Sequence, residues 1–350
     1  MKKTLIAVAL ATLSATSMAD VILYGQIKGG VEVSKIKNID GTATQIVDYG
    51  SRIGFKGHED LGNGLQAIWQ LEQKVNIGGG ETGFGTRDSF IGLRGEKFGQ
   101  VTVGYQKNAV GYTNDKLDIW EYNSPFAGLG VFTRDTALNK RSTSVRYVSP
   151  DFGGFSFEAS VSPSDNNNGV FASPSVTSLA QEDKATYSLG LHYKNAGFFA
   201  DVAGGYAHRT GTKTNASGKI ENLNGHQIVA QVGYDAQPWY AGVAYQNTKR
   251  AETAGLFANA KTVNEVAGTV AYNVTDPLRV KASVAYGFGI KNEANAKLYS
   301  NGRYIQGVVG ADYALSKRTQ ANAQVGYLQL GGGASKARVG TVSVGLKHKF

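Results

Sequence analysis

Along most of the chain, apolar and polar residues alternate with a period of two. In residues 20–33, Val21, Leu23, Ile27, Val31 and Val33 share one parity, while Tyr24, Gln26, Lys28 and Glu32 share the other. One apolar face with that period predicts a half-buried strand. The pattern then recurs with turn signals between. Residues 51–59 run into EDLGNG and return over 65–74; residues 87–95 run into GEKFG and return over 101–105; residues 142–148 run into SPDFGG and return over 155–162. Four further hairpins close on KNAG, DAQP, NVTDP and ALSKR, and a last strand covers 339–350. Seven short turns join fourteen strands, and one strand at each end makes sixteen. The connections on the other side are longer and polar, such as 163–184, 209–224 and 289–303. An even strand number with both termini on the short-turn side predicts an all-β fold, a sixteen-stranded antiparallel transmembrane β-barrel. Its turns are periplasmic and its long loops extracellular.

The two faces decide what such a barrel encloses. On residues 278–288, Leu278, Val280, Ala282, Val284, Tyr286 and Phe288 oppose Arg279, Lys281, Ser283, Ala285 and Gly287. On 319–328 the second face is Gln320, Asn322, Gln324 and Gly326. A polar second face predicts a wet interior and an outer face in lipid, and sixteen strands leave room for an aqueous channel. Tyr105, Tyr206, Tyr245, Tyr286 and Tyr327 fall late on strands rising towards the loops. Tyr147, Tyr193, Tyr234, Tyr272 and Tyr313 fall late on descending ones. Those positions predict an aromatic belt at each membrane boundary.

The alternation stops over residues 108–140, a stretch too long for an ordinary connection in a compact domain. Counting strands places it between the fifth and sixth, the third connection on the long side.

The amino terminus changes the picture of where the chain resides. Lys2 and Lys3, an apolar run over 4–12, and Ser17-Met18-Ala19 before Asp20 have the three parts of a secretory signal peptide, cleaved after residue 19. The run is too short to span a bilayer as a helix. Residues 20–350 are then one barrel domain. The chain has 46 Gly, 18 Tyr and no Cys, which excludes disulfides, thiolate catalysis and Cys-based metal sites. Its net charge is +9, of which Lys2 and Lys3 contribute two, leaving +7 for the mature chain. A basic balance without a Lys/Arg block or basic helix points to anionic lipid or anionic solutes and away from nucleic acid. Residues 78–83 fit GxGxxG, but no helix follows, so the nucleotide-binding context is missing. The five histidines have no metal-ligand spacing, and no cofactor is expected.

The runs GFKGHEDLGNGLQAIWQLEQK, RDSFIGLRG, SVRYVSPDFGG and LSKRTQANAQVGYLQ, with the ending VGLKHKF, resemble the neisserial general porins, Gram-negative outer-membrane porins of betaproteobacterial type. The resemblance covers the mature chain in order. It implies a homotrimer in the outer membrane, among its lipids and lipopolysaccharide, and passive diffusion of ions and small hydrophilic solutes. It also implies that the 108–140 loop folds into the pore as a constriction, and that Phe350 is the signal read by the barrel-assembly machinery. Candidate charges for a constriction follow from parity and height. The basic wall is Lys28, Arg52, Lys56, Lys74 and Arg87; the loop acids are Asp115, Asp118 and Glu121. Arg87 matches the family's basic residue before SFIGL, although its parity with Ile91 and Leu93 points it outward unless a bulge intervenes. A basic wall facing an acidic loop would set a transverse field across the bore. Two alternatives stay open: a substrate-specific channel, which needs an aromatic ladder along the lumen, and a barrel hydrolase, for which nothing positions a Ser–His pair.

Overall fold

The computed structural model describes residues 20–79, 83–120, 124–163, 185–214, 220–252, 255–258 and 260–350. The expected signal peptide, Glu121 and nearly all of the 163–184 connection lie outside them. The first nine strands are β1 (Asp20–Ile36), β2 (Ala43–Asp48), β3 (Arg52–Gly62), β4 (Leu65–Lys74), β5 (Ser89–Gly95), β6 (Gly99–Gln106), β7 (Ser142–Val148), β8 (Phe155–Ser162) and β9 (Thr186–Asn195). Eight more follow: β10 (Phe198–Thr214), β11 (Ile220–Ala236), β12 (Trp239–Lys249), β13 (Thr262–Asn273), β14 (Leu278–Lys291), β15 (Tyr304–Ala314), β16 (Thr319–Leu330) and β17 (Ala337–Lys349). Apart from β2 and β3, which both pair with β1, neighbours in sequence pair antiparallel, and β17 pairs back onto β1, so the sheet closes without an edge.

Seventeen strands make sixteen staves. β3 pairs with β1 along Asp20–Gln26 and β2 pairs with it along Gly29–Ser34, so β2 and β3 are one stave interrupted at 49–51. The interruption is local chemistry. Asp48 Oδ1 accepts from the backbone N–H of Gly50 (2.8 Å) and Ser51 (3.0 Å), and Gly50 takes the left-handed φ of +95° that this turn requires. The bend swings Tyr49 inward, where only 1% of it is exposed and its hydroxyl bonds Ser343.

The connection read as a loop over 209–224 is mostly strand. β10 and β11 continue pairing to Thr214 and Ile220, and only 215–219 separates them. Each has 17 residues, well beyond the length that crosses the hydrocarbon. Backbone pairing, once nucleated, continues through the polar extension because the ladder needs no apolar face.

The molecule is inverted relative to a soluble protein. Val243, Val284, Val309 and Val325 stand half-exposed on the outer face, and Tyr206, Tyr245, Tyr286 and Tyr327 form a ring at the loop end. Such a continuous apolar exterior is stable only in lipid. No helix among the described residues is long and apolar enough to cross a membrane. On the inner face, Gln227, Gln231, Glu265, Thr269, Lys281 and Gln306 are buried.

The interior is not uniformly wet, as the alternating faces had predicted. On β12 to β16 the inward set includes Ala244, Val263, Ala267, Ala285, Val308 and Leu328, which form one dry cluster with residues of the 107–141 connection. That connection, L3, is the cause.

Candidate pore constriction

L3 begins with a short helix, α1 (Ala109–Lys116). Asn108 caps it: its side-chain oxygen accepts from Gly111 N–H (3.0 Å), and its Nδ2 donates to Leu138 O (2.8 Å), tying the two ends of L3 together. The helix lays Val110 against Ala203 and Val229. Lys116 at its end reaches Asp201 at 2.8 and 3.0 Å and sits 4.8 Å from the centre of the Phe199 ring.

The chain then runs along the inner wall. Leu117, Trp120, Leu129, Val131 and Phe132 enter the dry cluster, and Trp120 Nε1 donates to Ser283 Oγ at 2.8 Å. Gln306 Nε2 donates to the carbonyls of Pro125 (2.7 Å) and Gly128 (2.8 Å). On β16, a Cβ at Gly326 would collide with Phe126 O, so only glycine admits the L3 backbone there. The return limb is clasped by Arg134, whose Nε bonds Glu252 (2.9 Å) and whose Nη1 bonds Glu265 and Val131 O (both 2.7 Å), with the Phe257 ring 4.4 Å away. Glu252 and Glu265 are 1% and 0% exposed, so this guanidinium is what makes their burial tolerable. L3 is therefore a shelf fastened to the inner faces of β8 to β16.

Among the described residues the staves β1 to β5 carry no such cover, and the charges expected for a basic wall lie there. Arg52 on β3 stands directly opposite Lys74 on β4, and opposite Gln26 on β1. With the Gln26 side-chain amide turned so that its oxygen faces these donors, Oε1 accepts from Lys28 Nζ (3.3 Å) and Arg52 Nη1 (3.1 Å). Lys56 lies 5.2 Å from the centre of the Tyr24 ring, and Lys74 is exposed. Arg87 does turn inward, and a bulge does it: Arg87 N–H donates to Glu72 O (3.2 Å) while Glu72 N–H donates to Asp88 O (3.1 Å), setting two residues against one.

The organising residue of this wall is one the expected set omits. Glu72 accepts from Arg87 Nε and from Tyr24 OH (3.1 Å), with Arg52 Nε at 3.4 Å. Its side chain is 6% exposed, against 34% for Arg52 and 22% for Arg87, so the carboxylate is hidden and the guanidinium groups face water. Its polar parity on 65–74 was visible in the sequence; its partners were not. Asp88 and Arg141 were likewise missed, and they pair at 3.0 Å where L3 returns to the wall.

The loop acids are less free than the expected field requires. Asp115 is exposed but ion-paired with Lys107. Asp118 accepts from Trp120 N–H (3.0 Å) and Thr133 Oγ1 (3.3 Å). Burial outweighs those bonds and, with Asp115 nearby, pushes its carboxyl up to about 7. Glu121 lies outside the described residues. Phe350 sits at the turn end, its backbone exchanging hydrogen bonds with Gly25 (3.0 and 3.1 Å).

A closed sixteen-stave barrel with lipid outside, and an inner shelf facing a charged wall, is a channel. The model of the Gram-negative porin family matches residues 5–333, and the chain belongs to that family. It is 42% identical to the major outer membrane protein P.IB of Neisseria lactamica and 41% identical to that of Neisseria meningitidis serogroup B, each over the whole of both chains. Among solved structures it superposes on an anion-selective porin from Comamonas acidovorans with a TM-score of 0.72 at 20% identity, covering 95% of this chain and 100% of that one. It also superposes on Salmonella typhi OmpF in complex with daunomycin with a TM-score of 0.68 at 18% identity, covering 95% and 98%. The protein is an integral outer-membrane porin, a water-filled channel for passive diffusion of ions and small hydrophilic solutes.

Proposed function

We propose that solutes cross between the L3 shelf and the wall of β1 to β5, and that this path prefers anions. The observation that carries the reading is the placement of Glu72 behind Arg52 and Arg87: the wall turns cations to the water and keeps its acid out of it. Lys28, Lys56 and Lys74 add to the same side. Across the gap, Asp115 is compensated by Lys107 and Asp118 is only partly ionised near neutral pH, so the acidic half of the field is weak. The net charge of +7 has the same sign.

The rest of the assignment rests on the signal-peptide pattern of the sequence and on the likeness to the porins. The mature chain starts at Asp20 after removal of 1–19, functions as a homotrimer without catalytic activity, and presents Phe350 at the turn end for the assembly machinery. In planar bilayers under a salt gradient, the native protein gives the reversal potential of an anion-preferring pore. Arg52→Glu combined with Lys74→Glu moves it towards cations. An unchanged potential places these side chains away from the solute path.

A further inference from the structure

Beside α1 the inner wall carries a second set of charges, separate from the wall of β1 to β5. It runs over four adjacent staves and the helix: Arg146 (β7), Glu158 (β8), His192 (β9), Asp201 (β10) and Lys116 (α1). Leu189 and Leu191 are exposed on the outer face, so the opposite parity turns His192 inward. His192 and Asp201 each stand three residues from the 195–198 turn, towards the turn-end mouth of the bore. A Cβ at Gly190 would lie 2.9 Å from both Ala109 Cβ and His192 Nε2, so the cluster is pressed against the start of α1.

The hydrogen bonds define the charge on the histidine. Asp201 accepts from Lys116 at both oxygens (3.0 and 2.8 Å) and from Gln231 Nε2 (2.9 Å). A carboxylate used in this way is an acceptor only, so His192 Nδ1, 2.8 Å from Asp201 Oδ1, carries a hydrogen. Arg146 spends Nε (2.8 Å) and Nη2 on Glu158 Oε2 and lies 4.6 Å from the centre of the Tyr112 ring. Glu158 Oε1 is buried without a hydrogen bond and faces His192 Nε2 at 3.7 Å. A lone pair on Nε2 would oppose that oxygen, whereas an N–H is attracted to it. The site is shaped for an imidazolium bridging two staves. The charged groups facing it are Glu158 from β8 and Asp201 from β10, with Arg146 of β7 and Lys116 of α1 on their far sides. Two carboxylates and two cations cancel, so the proton on His192 sets the sum at +1 or 0. The acids are hidden, at 3% and 1% exposure, while Lys116 is 39%, His192 24% and Arg146 14% exposed.

We propose that His192 is a specificity-determining residue, a proton-held positive charge that makes the turn-end mouth a second anion-attracting station in series with Arg52 and Arg87. As an imidazolium it holds Glu158 and Asp201 to the wall, behind the cations that meet water. Without the proton the cluster is neutral, and Glu158 Oε1 faces a lone pair. This role rests on the anion-preferring path proposed above, which the reversal of Arg52 and Lys74 tests separately.

Reversal potentials in planar bilayers under a potassium chloride gradient test it in the Asp118→Asn background, where the Asp118 step is absent. From pH 8 to pH 9.5 that channel loses about twofold in preference for chloride over potassium, the scale of one unit charge about 10 Å from a passing ion in water. With His192→Gln added, the lower preference holds at both pH values. With His192→Arg added, the higher preference holds at both. Should His192→Arg fail to assemble, His192→Lys replaces it with the same expectation. The pH-linked change is read whichever ion the pore as a whole favours, so its failure is distinct from a failure of the anion-preferring path. A histidine that merely fills space gives equal ratios in the Gln and Arg variants. That equality, the absence of a step while His192 is present, or the same step with His192→Gln, overturns the proposal.

Discussion

At the scale of single residues, the proposed anion preference rests on which charges meet water and which are covered. Glu72 is enclosed by Arg52, Arg87 and Tyr24, so the wall of β1 to β5 reads more basic than a count of its charges gives, while the exposed Asp115 is compensated by its ion pair with Lys107. Asp118 is different because burial raises its carboxyl to about 7. Its folded value lies above the ordinary carboxylate value of 3.8, so the folded state takes up the proton first. Stability rises as pH falls from about 7 towards 4, and ionisation above 7 works against the fold. Between pH 8 and pH 6 the native channel gains anion preference as Asp118 neutralises. Asp118→Asn shows the acidic-side preference at both values, and permeability ratios at the two pH values check this. Arg87 teaches a related lesson. Its parity was legible and pointed outward; a bulge opposite Glu72, which alternation cannot encode, reverses it.

At the scale of elements, L3 is a fastened shelf, and its fastening is dry on one side and ionic on the other. Arg134 is the clasp between L3 and the buried pair Glu252 and Glu265. Arg134→Ala leaves two enclosed carboxylates without a cation, at a cost of about 3–5 kcal/mol. The expected result is a barrel that still folds with L3 loosened: protease cleavage within 107–141 and altered unitary conductance. The strands and the position of this loop were legible because period two, turn residues and tyrosine spacing are local signals. The dry half of the interior was not. Ala285 and Gly287 read as members of a polar face, and only L3 lying on them makes Ala285 core. The dependence runs through contacts far apart in sequence, such as Trp120 with Ser283 and Gln306 with Pro125.

At the scale of the whole molecule, the barrel divides into two halves. β8 to β16 hold the shelf, and β1 to β5 carry the basic wall, so the proposed solute path runs between the two. The absence of cysteine allows a direct reading of that division, since every introduced thiol is unique. Lys74→Cys places one on the open wall, and Thr269→Cys places one on β13, where Thr269 is buried and bonds Ser283 beneath the shelf. The decisive measurement is single-channel current during addition of a charged, membrane-impermeant thiol reagent. Stepwise current changes with Lys74→Cys and none with Thr269→Cys are the predicted result; modification of Thr269→Cys at a comparable rate, or silence at Lys74→Cys, contradicts the two-walled pore.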